Sequence, residues 1–216
     1  MSKQFKKFIW GVLNHLNLGG ITQLYINSAL KNDGWFKSFR TKKSIDLDGN
    51  PIPWLTYSFI KFIQNRLNNS LTVFEYGSGN STLWFASKIK SIISVENDKN
   101  WYESVKTKIP SNAKIIYRAL EYHGSYAEEI SKHYQKFNII IIDGRDRNYC
   151  ATLSPDYLTE DGVVFFDNAD LSNYLEGVNF LISKGFKKID FWGLSPVTAH
   201  NTCSTVFYRT NNCLNI

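Results

Sequence analysis

The stretch EYGSGNST, residues 75–82, ends an apolar run, LTVFEY (71–76), and opens a helical pattern, STLWFASKI (81–89). Strand, glycine turn and helix in that order make the first half of a βα unit. The alternation continues outward. SIISVE (91–96) predicts a second strand, and KNWYESVKTKI (99–109) a helix with Trp101, Val105 and Ile109 on one face. AKIIYRAL (113–120) predicts a third strand and SYAEEISKHYQ (125–135) a third helix. FNIIIID (137–143) is apolar throughout, as a strand covered on both faces requires. A helix near 147–158, a strand at GVVFFD (162–167) and a helix at LSNYLEGVNFLISKG stopping at Gly185 follow. Between FKKIDFW (186–192) and CSTVFYR (203–209) there is no helix-length segment, so these last two strands form a hairpin-like pair. The fold expected is α/β: a doubly wound, mostly parallel seven-stranded sheet with an antiparallel last strand.

Residues 1–70 follow a different pattern. FKKFIWGVLNHL (5–16) sets Phe5, Phe8 or Ile9, Val12, Leu13 and Leu16 along one helical face, read as a helix packed on the sheet domain. Its lysines make a membrane-surface helix the alternative. DLDGNPIPWLTYSFIKFIQNRL (46–67) predicts an amphipathic helix from about residue 54 to 67. Residues 1–70 thus read as a helical cap, and 71–216 as the ligand-binding domain.

Composition narrows the class. A net charge of +6 is spread over short clusters, which reads as a solvated surface, with attraction of an acidic substrate as the alternative. Cys150, Cys203 and Cys213 are odd in number and far apart. They offer neither a disulfide framework nor metal-knuckle spacing, which points to a reducing cytoplasm. No apolar run reaches the roughly 18–20 residues of a membrane span. Asn14, His15 and Asn17 interrupt the basic start, and no small-residue cleavage site follows, so a signal peptide is not expected.

Glycine turns after a strand serve several ligands. Thr82 stands where a dinucleotide fingerprint has its third glycine, and no lysine follows to make a P-loop. Glu75 would repel a pyrophosphate but suits an ammonium group. S-adenosylmethionine (SAM) carries one, and its carboxylate could meet the amides opening the helix after Gly79. Glu96 ends the second strand, 96 − 75 = 21 residues later, where a carboxylate holds a ribose diol.

With these residues in order, the chain resembles the class I SAM-dependent methyltransferases over residues 71–208. VFEYGSGNSTLWFA, ISVENDKNWY, IIIIDGRDRNY and GVVFFDN are similar to that superfamily's first, second, fourth- and fifth-strand motifs. The resemblance implies SAM as cofactor, with Glu75, Gly77, Ser78, Gly79 and Ser81 around its methionine end. It implies Glu96 on the ribose with Asn97 beside it, adenine near Ala119 and Leu120, and Asp143 closing the site.

On the acceptor side, Asp143, Asp167 and Asn168 end adjacent strands. They resemble the magnesium site of the metal-dependent O-methyltransferases, with Tyr149 matching a further position. Asp146 stands where those enzymes carry a lysine. Without metal, Asp143 and Asp167 border the pocket. Arg145 and Arg147 follow Asp143; they read either as solvated or ion-paired arginines, or as a pair of which one, with Arg145 the position chosen, holds an anionic or sugar-like acceptor. His200 is a candidate base; Trp54 and Trp192 are candidate pocket walls. The function expected is SAM-dependent methyl transfer to a small-molecule or glycan-like acceptor, at oxygen. A nucleic-acid methyltransferase and a SAM-binding protein without transfer activity are the alternatives, with a NAD-linked reductase more remote. No N/D-P-P-Y/F-type motif of base methyltransferases is present.

Overall fold

A computed structural model describes residues 2–216. In chain order the elements are α1 (Lys3–His15), α2 (Gly19–Ile26), α3 (Ala29–Asn32), α4 (Trp35–Thr41), α5 (Tyr57–Gln64), β1 (Thr72–Tyr76), α6 (Asn80–Ala86), β2 (Ser91–Glu96), α7 (Lys99–Lys106), β3 (Ala113–Tyr117), β4 (Phe137–Ile142), α8 (Arg147–Tyr157), β5 (Leu158–Asp167), α9 (Leu175–Ser183), β6 (Lys187–Gly193) and β7 (Thr202–Tyr208). The strands form one sheet in the order β3-β2-β1-β4-β5-β7-β6. β3 through β5 run parallel, while β7 lies antiparallel between β5 and β6. This is the doubly wound α/β sheet expected from the alternation of elements.

Strand alternation builds two cores. Val73, Ile139, Ile141, Val163, Phe165 and Val206 face one side, under α5 and α6. Phe74, Tyr76, Ile140, Ile142, Val164, Phe166 and Phe207 face the other, under α8 and α9. Because both sides are covered, the central strands are apolar without a break.

Residues 52–63 belong to the first of these cores. Phe59 is fully buried, its ring 5.0 Å from Phe165 of β5 and 5.3 Å from Phe191 of β6. Phe59→Ala is therefore expected to cost about 3–5 kcal/mol in urea unfolding. A loss under about 1 kcal/mol would mean that α5 is only loosely attached. The helix is shorter than the predicted 54–67: Thr56 caps it, accepting from the Phe59 amide at 3.4 Å, and it ends at Gln64.

Two other expectations change. Residues 127–133 wind as a 3₁₀ helix rather than an α-helix, turning Ala127, Glu129 and Ile130 inward. Glu129 is then held by Arg118 at 2.6 Å. α1 forms, but it packs beside α2 and buries none of its residues. It is not packed on the sheet domain as expected, and its Phe5, Phe8 and Val12 stay exposed. No helix among the described residues is long and apolar enough to cross a membrane.

Candidate active site

The parallel strands end at one edge, and their last residues supply the acids. Glu75 of β1 is 1% exposed. Ser81 Oγ donates to its Oε1 at 2.5 Å, while Thr82 Oγ1 and Ser94 Oγ donate to Oε2 at 2.5 and 2.6 Å. Thr82 also accepts from the Gly79 amide at 3.1 Å, tying the turn to the acid beneath it. Burial is the dominant influence on Glu75 and lifts its pKa to about 7 against the three donors. A carboxylate offers about four acceptor positions, so Oε1 keeps one free.

The turn is shaped by close approach. Gly79 has φ +151°, and a Cβ there would lie 3.3 Å from the Trp101 ring. Trp101 is held over the turn by its indole N–H, which donates to the Ser78 carbonyl at 2.8 Å. Asp98 caps α7 by accepting from the Trp101 amide at 2.9 Å, which fixes where that ring stands. Beside it, Glu96 Oε1 accepts from the amides of Asn97 and Asp98, both at 2.8 Å. Glu96 Oε2 takes only the Ser78 hydroxyl, also at 2.8 Å. Gly144, after β4, presses on the turn: a Cβ there would sit 2.0 Å from the Tyr126 hydroxyl and 2.8 Å from the Gly77 nitrogen.

Opposite this wall, Arg147 joins the ends of β4 and β5. Its guanidinium donates to the Asp143 carbonyl (2.8 Å) and Oδ1 (3.2 Å), to the Gly144 carbonyl (3.0 Å), to the Asp167 carbonyl, and to Asn168 Oδ1 (3.2 Å). Ser204 of β7 donates to Asp167 Oδ1 at 2.7 Å. Burial raises the Asp143 pKa against the pull of Arg147. Asp167 is raised further, first by burial and then by the charge of Asp143. Two neighbouring acids, Asp167 buried and Asp143 half-buried, do not both ionise readily, and Arg147 is the one fixed cation beside them. A cavity of about 610 Å³ lies between the two walls. It is lined by Glu75, Gly77, Ser78, Ser81, Glu96, Asn97 and Trp101 on one side. Asp143, Arg145, Asp167, Asn168, Thr198, His200 and Trp54 line the rest.

No family model matches the chain, and no curated protein matches it by sequence. Solved structures do match. One is precorrin-6y C5,15-methyltransferase from Geobacter metallireducens, with TM-score 0.57 and 13% identity over 71% of this chain and 87% of that one. A methyltransferase from Pyrococcus furiosus gives 0.52 and 17%, over 72% and 82%. The tRNA (m1A58) methyltransferase from Aquifex aeolicus gives 0.51 and 14%, over 73% and 70%. The chain has the class I methyltransferase fold.

Within this methyltransferase fold, the cavity gathers the sequence-predicted Glu75, Gly77, Ser78, Ser81, Glu96, Asn97, Asp143, Arg145, Asp167, Asn168, His200 and Trp54. Gly79 shapes the turn beneath it. Four predicted residues stand apart. Ala119 is exposed, and Leu120 leans on the core under α8 and α9. Tyr149 stacks on His123 at 4.8 Å, away from the cavity. Trp192 points to solvent because β6 alternates, and Phe191 takes the inward position. Trp101, Asp98, Gly144, Ser195, Thr198 and Thr202 line the cavity without having been singled out for it.

The proposed metal set already holds a cation, the Arg147 guanidinium. Asp143 Oδ1 and Asn168 Oδ1 already accept from Arg147, and Asp167 Oδ1 accepts from Ser204. Among the described residues no group of three or more His, Cys, Asp or Glu could hold a metal.

Proposed function

We propose that the protein is a SAM-dependent methyltransferase acting on a small-molecule or glycan-like acceptor at oxygen, with residues 71–216 as the binding domain and the preceding helices as its cap. One observation carries the reading: a single cavity joins a glycine turn flanked by Glu75 and Glu96 to a carboxylate pair across from it. The free position on Glu75 Oε1 suits an ammonium, and Glu96 Oε2 suits a ribose hydroxyl. Trp101 offers a flat apolar wall over the turn.

SAM, when bound, would supply an electrophilic methyl on sulfur for transfer to the acceptor oxygen, with S-adenosylhomocysteine as the leaving product. The chain has two tasks, positioning and taking up the acceptor's proton. Asp143 keeps about a quarter of its side chain exposed, and its pair with Asp167 is the base we assign. Arg147 balances the remaining negative charge. Arg145 makes no side-chain hydrogen bond or ion pair among the described residues and is left to hold an anionic or hydroxyl-rich acceptor.

Calorimetric titration tests the first half of this reading. SAM and S-adenosylhomocysteine are expected to bind, and Glu96→Ala to weaken both by at least about tenfold, the worth of one charge-assisted hydrogen bond. No heat with either ligand removes the proposal. Transfer of labelled methyl to RNA, with none to small molecules or glycans, would replace the acceptor class with nucleic acid.

A further inference from the structure

We infer that α1 and α2 dock the protein on an anionic membrane surface. Both helices present exposed apolar residues: Phe5, Phe8 and Val12 of α1 with its C-cap Leu16, and Ile21 and Leu24 of α2. Phe8 and Ile21 are 68% and 65% exposed, so nothing among the described residues covers them. An unpartnered face could meet lipid, a second copy or another protein, and charge chooses among these. Residues 1–32 hold Lys3, Lys6, Lys7 and Lys31 and no Asp or Glu, so they carry +4 of the chain's net +6. Helical spacing sets Lys3 and Lys7 opposite the Phe5–Phe8–Val12–Leu16 stripe, with Lys6 on its flank. A second copy seated on the stripe would cover its apolar side but leave Lys3 and Lys7 facing away from the contact without a partner. Phosphate headgroups around an apolar interior match both sides of the helix at once. At 13 residues with three lysines, α1 is too short and too charged to span, which leaves the interface plane.

The surface is linked to the cavity. The Tyr25 ring meets Phe36 edge-on at 5.2 Å, and the neighbouring Trp35 donates its indole N–H to the Thr198 carbonyl at 2.7 Å. Thr198 lines the cavity, so the docking helices attach to its wall. The inference does not depend on SAM.

Co-sedimentation of the full chain with vesicles decides it. Phosphatidylcholine vesicles containing phosphatidylglycerol are expected to pellet the protein, pure phosphatidylcholine to pellet much less, and raised salt to release it. Phe8→Glu/Ile21→Glu is expected to cut partitioning at least roughly tenfold with an unchanged melting temperature. Should that pair disturb folding, Lys3→Glu/Lys6→Glu/Lys7→Glu is the second variant, with the same loss expected on the anionic vesicles. A wild-type chain left in the supernatant, or variants that pellet like wild type, overturns the inference. So does a dimer, seen by light scattering, that ignores vesicles and dissociates with Phe8→Glu/Ile21→Glu.

Discussion

Arg147→Ala is expected to lose about 3–5 kcal/mol of stability near neutral pH, and to recover much of it in mild acid. The guanidinium is 90% buried and feeds five acceptors at the ends of β4 and β5. Its removal takes the ion-pair partner from Asp143 and from the neighbouring Asp167 its nearest fixed positive charge. Both already have pKa values above the ordinary carboxylate range, and loss of Arg147 raises them further. The folded chain then holds more protons than the unfolded one, so stability falls as pH rises through this range. The deficit is greatest at neutral pH and shrinks as both acids protonate. Urea unfolding of wild type, Arg147→Ala and Arg147→Lys at two pH values reads this directly. Lysine keeps the charge but not the planar fork, and an intermediate loss is expected. An alanine variant as stable as wild type at neutral pH would show that the clamp contributes nothing.

Glu75→Gln is expected to weaken SAM binding about 10–100-fold at pH 8, and to abolish its pH dependence. The wild-type carboxyl titrates near 7, so binding of an ammonium should strengthen roughly tenfold from about pH 6 to pH 8 as Glu75 ionises. The same ionisation acts on the free protein in the opposite sense. The folded pKa lies above the ordinary 4.5, so Glu75 withdraws about 3 kcal/mol of stability as pH climbs from the ordinary value to about 7. Glutamine is neutral throughout, and the unliganded variant should be the more stable of the two at pH 8. A variant that binds SAM with wild-type affinity and wild-type pH dependence would assign Glu75 only to holding Ser81, Thr82 and Ser94.

The strands were legible because apolar, β-branched runs end at acids or turns, and β2 falls on SIISVE as read. Glu75 and Glu96 were legible for the same reason: each is the last polar residue before a turn. What escaped was contact at a distance. Trp101 sits on an ordinary helical face, and only the Asp98 cap and the bare Gly79 bring it over the turn. Arg147 looked interchangeable with Arg145, but the left-handed Asp146 between them sends one inward and leaves the other at the surface. Helical periodicity gave α1 an apolar face but could not say what covers it. Ala119, Leu120, Tyr149 and Trp192 were chosen by position after a motif or a strand. Their places depend on how the neighbouring loop turns and on which face an edge strand gives to solvent.

The antiparallel seat of β7 has a consequence for change. Residues 75–101 form one wall of the cavity as a continuous piece of chain, with every polar anchor of its acids inside it. The other wall is assembled from separate stretches, and residues 195–200 reach it as the tip of the β6–β7 connection. That tip can change side chains while the strands on either side keep their register, because its tie to Trp35 runs through the Thr198 backbone carbonyl. One half of the cavity is thus conservative by construction, and the other is free to diversify.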